Sequence, residues 1–190
     1  MFRKQVPMKG RLFIVSAPSG AGKSTLCNRL RARFPDMQYS VSYTTRQPRK
    51  NECDGVDYYF ISDSDFSQGI KEHRWAEWAC VHDHYYGTSQ ERIETCLITG
   101  KDILLEIDVQ GMQQIIKKFP DAITIFIKPP SMDVLKERLE KRGTDSQEVI
   151  EKRLKNAEKE MAFQHLYKHI IINDDIQTSA QKLISLVSAK

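Results

Sequence analysis

Within residues 17–24, the glycines at 20 and 22 and the adjoining Lys23 and Ser24 form a set suited to holding phosphate. Gly20 and Gly22 let successive backbone N–H groups turn inward where a Cβ would otherwise intrude, lining a nest for an anion. An apolar run, Leu12-Phe13-Ile14-Val15, precedes the loop, and a helix-like segment over 25–34 follows it. Strand, glycine-rich turn and helix in that order put a helix N-terminus, about half a positive charge, behind the nest. Lys23 is then within reach of β- and γ-phosphate oxygens, and the Ser24 hydroxyl within reach of Mg²⁺. The pattern G-x-x-x-x-G-K-[ST] begins here with Ala17, which narrows φ but removes no phosphate ligand. Ala17, Pro18, Ser19, Gly20, Ala21, Gly22, Lys23, Ser24 and Thr25 are thus candidate ATP-binding residues, with Lys23 also catalytic. A plain strand-to-helix turn is the alternative, and Lys and Ser directly after the second glycine argue against it.

A second set consists of arginines without helix partners. Along 135–159 the lysines have acids four residues away: Lys136 with Glu140, Lys141 with Glu137, Lys152 with Glu148, Lys155 with Glu151. Arg138 and Arg153 have none at three or four residues, and Arg142 has only Asp145, beyond Gly143. Arg138 and Arg142 place like charges on one helix face, which is unfavourable unless an anion lies between them. A transferring phosphoryl group is such an anion. Arg138, Arg142 and Arg153 are therefore expected to be catalytic, closing over the ATP phosphates in a lid with Gly143-Thr144-Asp145 at its tip. Asp108, after an apolar strand, is placed like the acid that holds the Mg²⁺ shell through water.

A third set, Arg46, Arg49, Tyr58 and Tyr86, suits a second phosphate. Arginine's fork meets two oxygens at once, and tyrosine hydroxyls donate further bonds. A solvated loop cation or a core aromatic is the alternative for each taken singly.

Positioning these sets requires a scaffold, and the residue pattern supplies one. Strands are expected at 39–45, 58–61, 75–81, 103–107, 123–127 and 170–172, the 103–107 and 123–127 runs buried on both faces. Residues 82–86 should close a hairpin. Helices are expected at 63–70 with Asp63 as N-cap, 89–99 capped by Ser89, 109–119, 131–142 capped by Ser131, 146–167 and 176–187. Strands alternating with helices imply an α/β fold, a parallel sheet flanked by helices. The short strands near 39–86 break that rhythm and read as a small mixed or antiparallel lobe inserted after the first βα unit.

The 190 residues carry a net charge of +4, with 40% hydrophobic and 28% charged residues, as in one globular domain. That charge is too diffuse to argue for nucleic-acid binding. Cys27, Cys53, Cys80 and Cys96 lack any C-x-x-C pair and fit reduced thiols, not a disulfide frame or zinc site. Residues 1–10 lack the apolar core of a secretory signal, and no run is long enough to span a membrane, so the cytoplasm is expected. His165 and His169 are expected to share a helix face with no third ligand, and to be structural.

Taken together, the sequence resembles bacterial guanylate kinases, nucleoside monophosphate kinases, over essentially its whole length. The motifs that carry this are Ser42-x-Thr44-Thr45-Arg46-x-Pro48-Arg49, Tyr85-Tyr86-Gly87-Thr88, Ile107-Asp108-x-Gln110-Gly111, Pro129-Pro130-Ser131 and Ile172-Asn173-Asp174-Asp175. The resemblance implies a P-loop NTPase core (9–36 and 89–190), a GMP-binding lobe (37–88) and a helical lid (138–155). It implies transfer of the γ-phosphoryl of ATP to GMP, and to dGMP, with Mg²⁺ as cofactor. It further implies that the GMP phosphate meets Arg46, which is also catalytic, with Arg49, Tyr58 and Tyr86, and that Glu52 orients the arginines. The base is implied to meet Ser42, Glu77, Thr88 and a carboxylate from Glu106 or Asp108, and adenine to meet Asn173. Glu106 stands where the family usually has Asp, one methylene shorter. For Glu77 alone, a solvent-facing acid between Trp75 and Trp78 is the alternative. Rival readings are a non-catalytic scaffold module of the same fold and a small kinase with another phosphorylated acceptor. Monomer and homo-oligomer remain open.

Overall fold

In the computed structural model, residues 10–81, 83–143 and 145–189 are described. Lys9, His82, Thr144 and Lys190, which fall within expected segments, lie outside them. The apolar runs become strands of a five-stranded parallel sheet, β1 (Leu12–Ser16), β2 (Gln38–Tyr39), β7 (Ile103–Glu106), β8 (Ile123–Lys128) and β9 (His169–Ile172), ordered β2-β7-β1-β8-β9. All of β1 and the first three residues of β7 are buried, as strands covered on both faces must be. The second sheet contains β3 (Tyr43–Thr44), β4 (Tyr59–Phe60), β5 (Trp75–Val81) and β6 (His84–Ser89), ordered β4-β3-β6-β5. It is mixed, because β3 runs parallel to β4 and antiparallel to β6.

The helices are α1 (Lys23–Arg33), α2 (Asp63–Lys71), α3 (Gln90–Ile98), α4 (Val109–Lys118), α5 (Met132–Lys141), α6 (Gln147–Ala162) and α7 (Ile176–Ser188). Ser89, Ser131 and Ser146 cap α3, α5 and α6 by accepting the N–H three residues on. Leu135, Leu139, Ile150 and Ala157 form the buried seam of α5 and α6, where burying each leucine stabilises by roughly 1.5–3 kcal/mol.

Three expectations change. The single strand over 39–45 is two, in different sheets: Ser40 N–H donates to Leu104 O at 3.0 Å, while Ser42 O accepts from Tyr59 N–H at 2.9 Å. The backbone finds two sets of partners within a few residues, which side-chain pattern alone cannot express. The cap of α2 is Ser62, not Asp63, and its hydroxyl accepts from Asp65 N–H at 3.1 Å. The helix over 146–167 ends at Ala162, followed by a 3₁₀ turn, Gln164–Leu166. His165 therefore lies in that turn and His169 opens β9, so they share no helix face.

Contacts divide the described chain into two compact units. One contains residues 10–13, 36–105 and 110–122; the other contains 14–35, 106–109 and 123–189.

Candidate active site

In the second unit, β1 ends and α1 begins around two glycines in the left-handed region, Gly20 at φ 96° and Gly22 at φ 93°. A side chain at position 22 would collide with the Asn173 amide, and one at position 20 would come within 2.9 Å of Leu135. Both glycines are thus required by conformation and by space. The loop opens on a cavity of about 370 Å³ lined by Ala17, Pro18, Ser19, Gly20, Gly22, Lys23, Ser24, Thr25, Asp108, Arg142 and Glu160. Ala21 is fully buried and faces away: its carbonyl accepts from Asn173 Nδ2 at 2.7 Å.

Asn173, 4% exposed, thus fastens the end of β9 to the phosphate loop, and Asp175 caps α7. Of the three arginines expected in a lid, only Arg142 lines the cavity. Arg138 donates to the carbonyls of Asn173 and Asp174, at 2.9 and 3.3 Å. Arg153 pairs with Asp145 at 3.2 Å. The arginines that lack partners at helix spacing find them through the tertiary fold. Glu106, at the end of β7, is near Cys27 of α1; burial first, and the Glu106 charge second, push that thiol well up.

In the first unit, Arg46 and Glu52 form a bidentate pair, both N–H···O distances 2.9 Å. Glu52 also accepts from Arg49 N–H at 2.8 Å. The Arg46 bond, then the Arg49 backbone bond, hold the Glu52 carboxyl down at about 2. The Arg46 guanidinium sits 5.4 Å from the centre of the Tyr58 ring, and Tyr58 meets Tyr86 edge-on at 6.0 Å. The Tyr86 hydroxyl lies within electrostatic reach of Arg46. Burial is the main cause that raises the Tyr58 hydroxyl. Arg49's side chain is exposed, and Ser42 is half-buried beside this cluster's strand β3.

Glu77 is not a solvent-facing acid. It is 7% exposed and pairs in register with Thr88 across β5 and β6. Thr88 Oγ1 donates to its Oε1 at 2.6 Å.

The sequence model of guanylate kinases matches residues 9–190. The chain belongs to the guanylate kinase family. It is 44% identical over 185 residues to the guanylate kinase of Caldanaerobacter subterraneus subsp. tengcongensis, covering 97% of this chain and 90% of that protein. It is 47% identical over 175 residues to that of Helicobacter pylori, covering 92% and 85%. The crystal structure of guanylate kinase from Anaplasma phagocytophilum superposes with a TM-score of 0.75 at 31% identity, covering 95% of this chain and 85% of that one.

For a guanylate kinase, the donors around the phosphate loop suit a hard divalent cation. Among the described residues no group of three or more His, Cys, Asp or Glu side chains encloses a metal. The cavity instead offers the Ser24 hydroxyl and two carboxylates, Asp108 and Glu160, an all-oxygen set that leaves room for water and phosphate ligands as Mg²⁺ requires. Glu160 is the cavity residue that sequence reasoning missed. A signal existed: it lies seven residues after Arg153 on α6, two helical turns along one face.

Proposed function

We propose that this guanylate kinase transfers the γ-phosphoryl group of ATP to GMP, and to dGMP, giving ADP and GDP. The observation that carries the acceptor assignment is the buried Glu77–Thr88 pair, in the same unit as the Arg46–Glu52–Tyr58–Tyr86 cluster. Guanine presents an N1–H and an N2 amino group side by side, and one carboxylate accepts from both. Adenine has no such pair, so a buried carboxylate facing it loses bonds worth roughly 1–3 kcal/mol each. Thr88 fixes the carboxylate so that it need not be ordered on binding.

The GMP phosphate enters among Arg46, Arg49, Tyr58 and Tyr86, with Glu52 holding the Arg46 fork. Ser42, with Glu106 or Asp108, completes the base site, and Asn173 borders adenine while it anchors Ala21. Lys23 and the loop amides hold the ATP phosphates, with Ser24 and, through water, Asp108 holding Mg²⁺. A divalent cation held there would supply neutralisation of phosphate charge. Arg142 lies in the cavity as the first lid clamp; Arg138 and Arg153 join it when the lid over 138–155 closes, Arg153 leaving Asp145. Closure excludes the water that would hydrolyse ATP. The attacking oxygen of GMP is already ionised at neutral pH, so no side chain need remove a proton. The cytoplasm is the proposed setting: the four cysteines are free thiols, and no helix among the described residues is long and apolar enough to cross a membrane.

An acceptor panel of GMP, dGMP, AMP, UMP and ribose bisphosphate, with ATP and Mg²⁺, tests this. GMP and dGMP should be phosphorylated and the others poorly, and Glu77→Gln should shrink the GMP-over-AMP preference roughly 10- to 100-fold. Failure to phosphorylate GMP, or an unchanged preference in the variant, would sink the assignment.

A further inference from the structure

The cavity at the phosphate loop contains two carboxylates, Asp108 and Glu160, beside Lys23 and Ser24. An acid facing phosphate oxygens opposes binding unless a cation comes between them. Glu160 projects from the last turn of α6 and is half-buried. Burial, and next the charge of Asp108, push its carboxyl up, while Lys23 acts the other way. Two hydroxyls nearby are buried, Ser16 at 0% and Tyr167 at 6% exposure. They neighbour one another, and Tyr167 is within electrostatic reach of both Asp108 and Glu160. Neither hydroxyl completes a well-formed hydrogen bond with a protein atom. Buried polar groups of that kind are satisfied by ordered water where the site is polar and roomy. Oxygen acceptors, orphaned hydroxyls and one flanking lysine together describe the outer wall of a hydrated hard cation.

We propose that Glu160 and Tyr167 hold the water shell of the divalent cation that arrives with ATP. Glu160 accepts from coordinated waters beside Asp108, and Tyr167 orders the water behind them. Glu160 is thus a positioning residue, acting on the phosphates through water. The proposal rests on the cavity's assignment to ATP.

ATP binding to the full chain, measured calorimetrically without GMP, in Mg²⁺ and in EDTA, provides the test. The quantity read is the Mg²⁺-dependent gain in ATP affinity. Glu160→Gln should cut that gain roughly 10-fold or more, leaving metal-free ATP binding equal or stronger because one repulsion is gone. Tyr167→Phe, which keeps the ring packed on Phe126, should cut it in the same direction by less. A purely structural role would weaken binding equally in both buffers and would overturn the proposal. So would stronger binding by the same factor in both, which would make Glu160 only a resting partner of Lys23. Should the Glu160 variant fail to fold, an unchanged gain in Tyr167→Phe overturns the proposal alone. Wild-type protein that binds no ATP in either buffer would instead overturn the cavity's assignment, and this inference with it.

Discussion

The phosphate cavity and the arginine–tyrosine cluster both suit phosphate, yet they are built in opposite ways. The cavity is built on a loop with left-handed backbone at Gly20 and Gly22, and Lys23 and Arg142 are among the residues that line it. The cluster relies on side chains already engaged with one another, Arg46 to Glu52, Arg46 over the Tyr58 ring, Tyr58 to Tyr86. A nest of amides offers several donors without a fixed count of charges, and it accommodates a polyphosphate with its metal. A guanidinium pre-paired with a carboxylate retains its fork geometry but little net charge, which suits a monophosphate held by direction. Under the proposed function, affinity for the donor rests on backbone conformation and recognition of the acceptor on side-chain preorganisation.

Three measurements would break or sharpen that contrast. The largest effect is expected for Lys23→Met, where kcat should fall about 10³-fold or more as charge stabilisation of the transferring group is lost. GMP binding, measured by calorimetry, should stay within a few fold; equal losses in both would erase the distinction between the two sites. Arg46→Lys should come next. It preserves charge but not the fork, so KM for GMP should rise roughly 10- to 100-fold while ATP affinity holds. An unchanged KM would make the cluster a mere structural ion pair.

The smallest effect is in acid. Glu52 is held at about 2 in the folded chain, below an unfolded value near 4.3. A depressed carboxyl contributes stability that is present above the unfolded value and is lost as pH falls through the folded one. Between about pH 4 and pH 2 the wild-type melting temperature should therefore drop more steeply than that of Glu52→Gln. Parallel curves would mean that the Arg46–Glu52 pair does not persist in solution.

Much of this was legible in residue order. The phosphate loop is a local device, since amide direction depends on φ at Gly20 and Gly22 and on the helix directly after them. The buried strands at 103–106 and 123–128 were legible because a run of β-branched and leucine residues has nowhere to go but between two layers. The Glu77–Thr88 pair was not. Its burial depends on which face of β5 is covered, and on a register shift between Trp75 and Glu77 that residue pattern does not reveal. The partners of Arg138 were equally hidden, because they are carbonyls 35 and 36 residues away, and every residue has a carbonyl.

Local spacing by itself determined the strand, glycine turn and helix at 12–33, the alternation of strands and helices, and the Ser89 and Ser131 caps, because each depends on interactions within a few residues of one another. Only the tertiary structure decided that Asn173 grips Ala21, that Arg153 meets Asp145, and that Glu160 and Tyr167 stand beside Asp108. Those contacts join segments whose separation along the chain carries no periodicity, and their geometry exists only once the sheet and helices have packed.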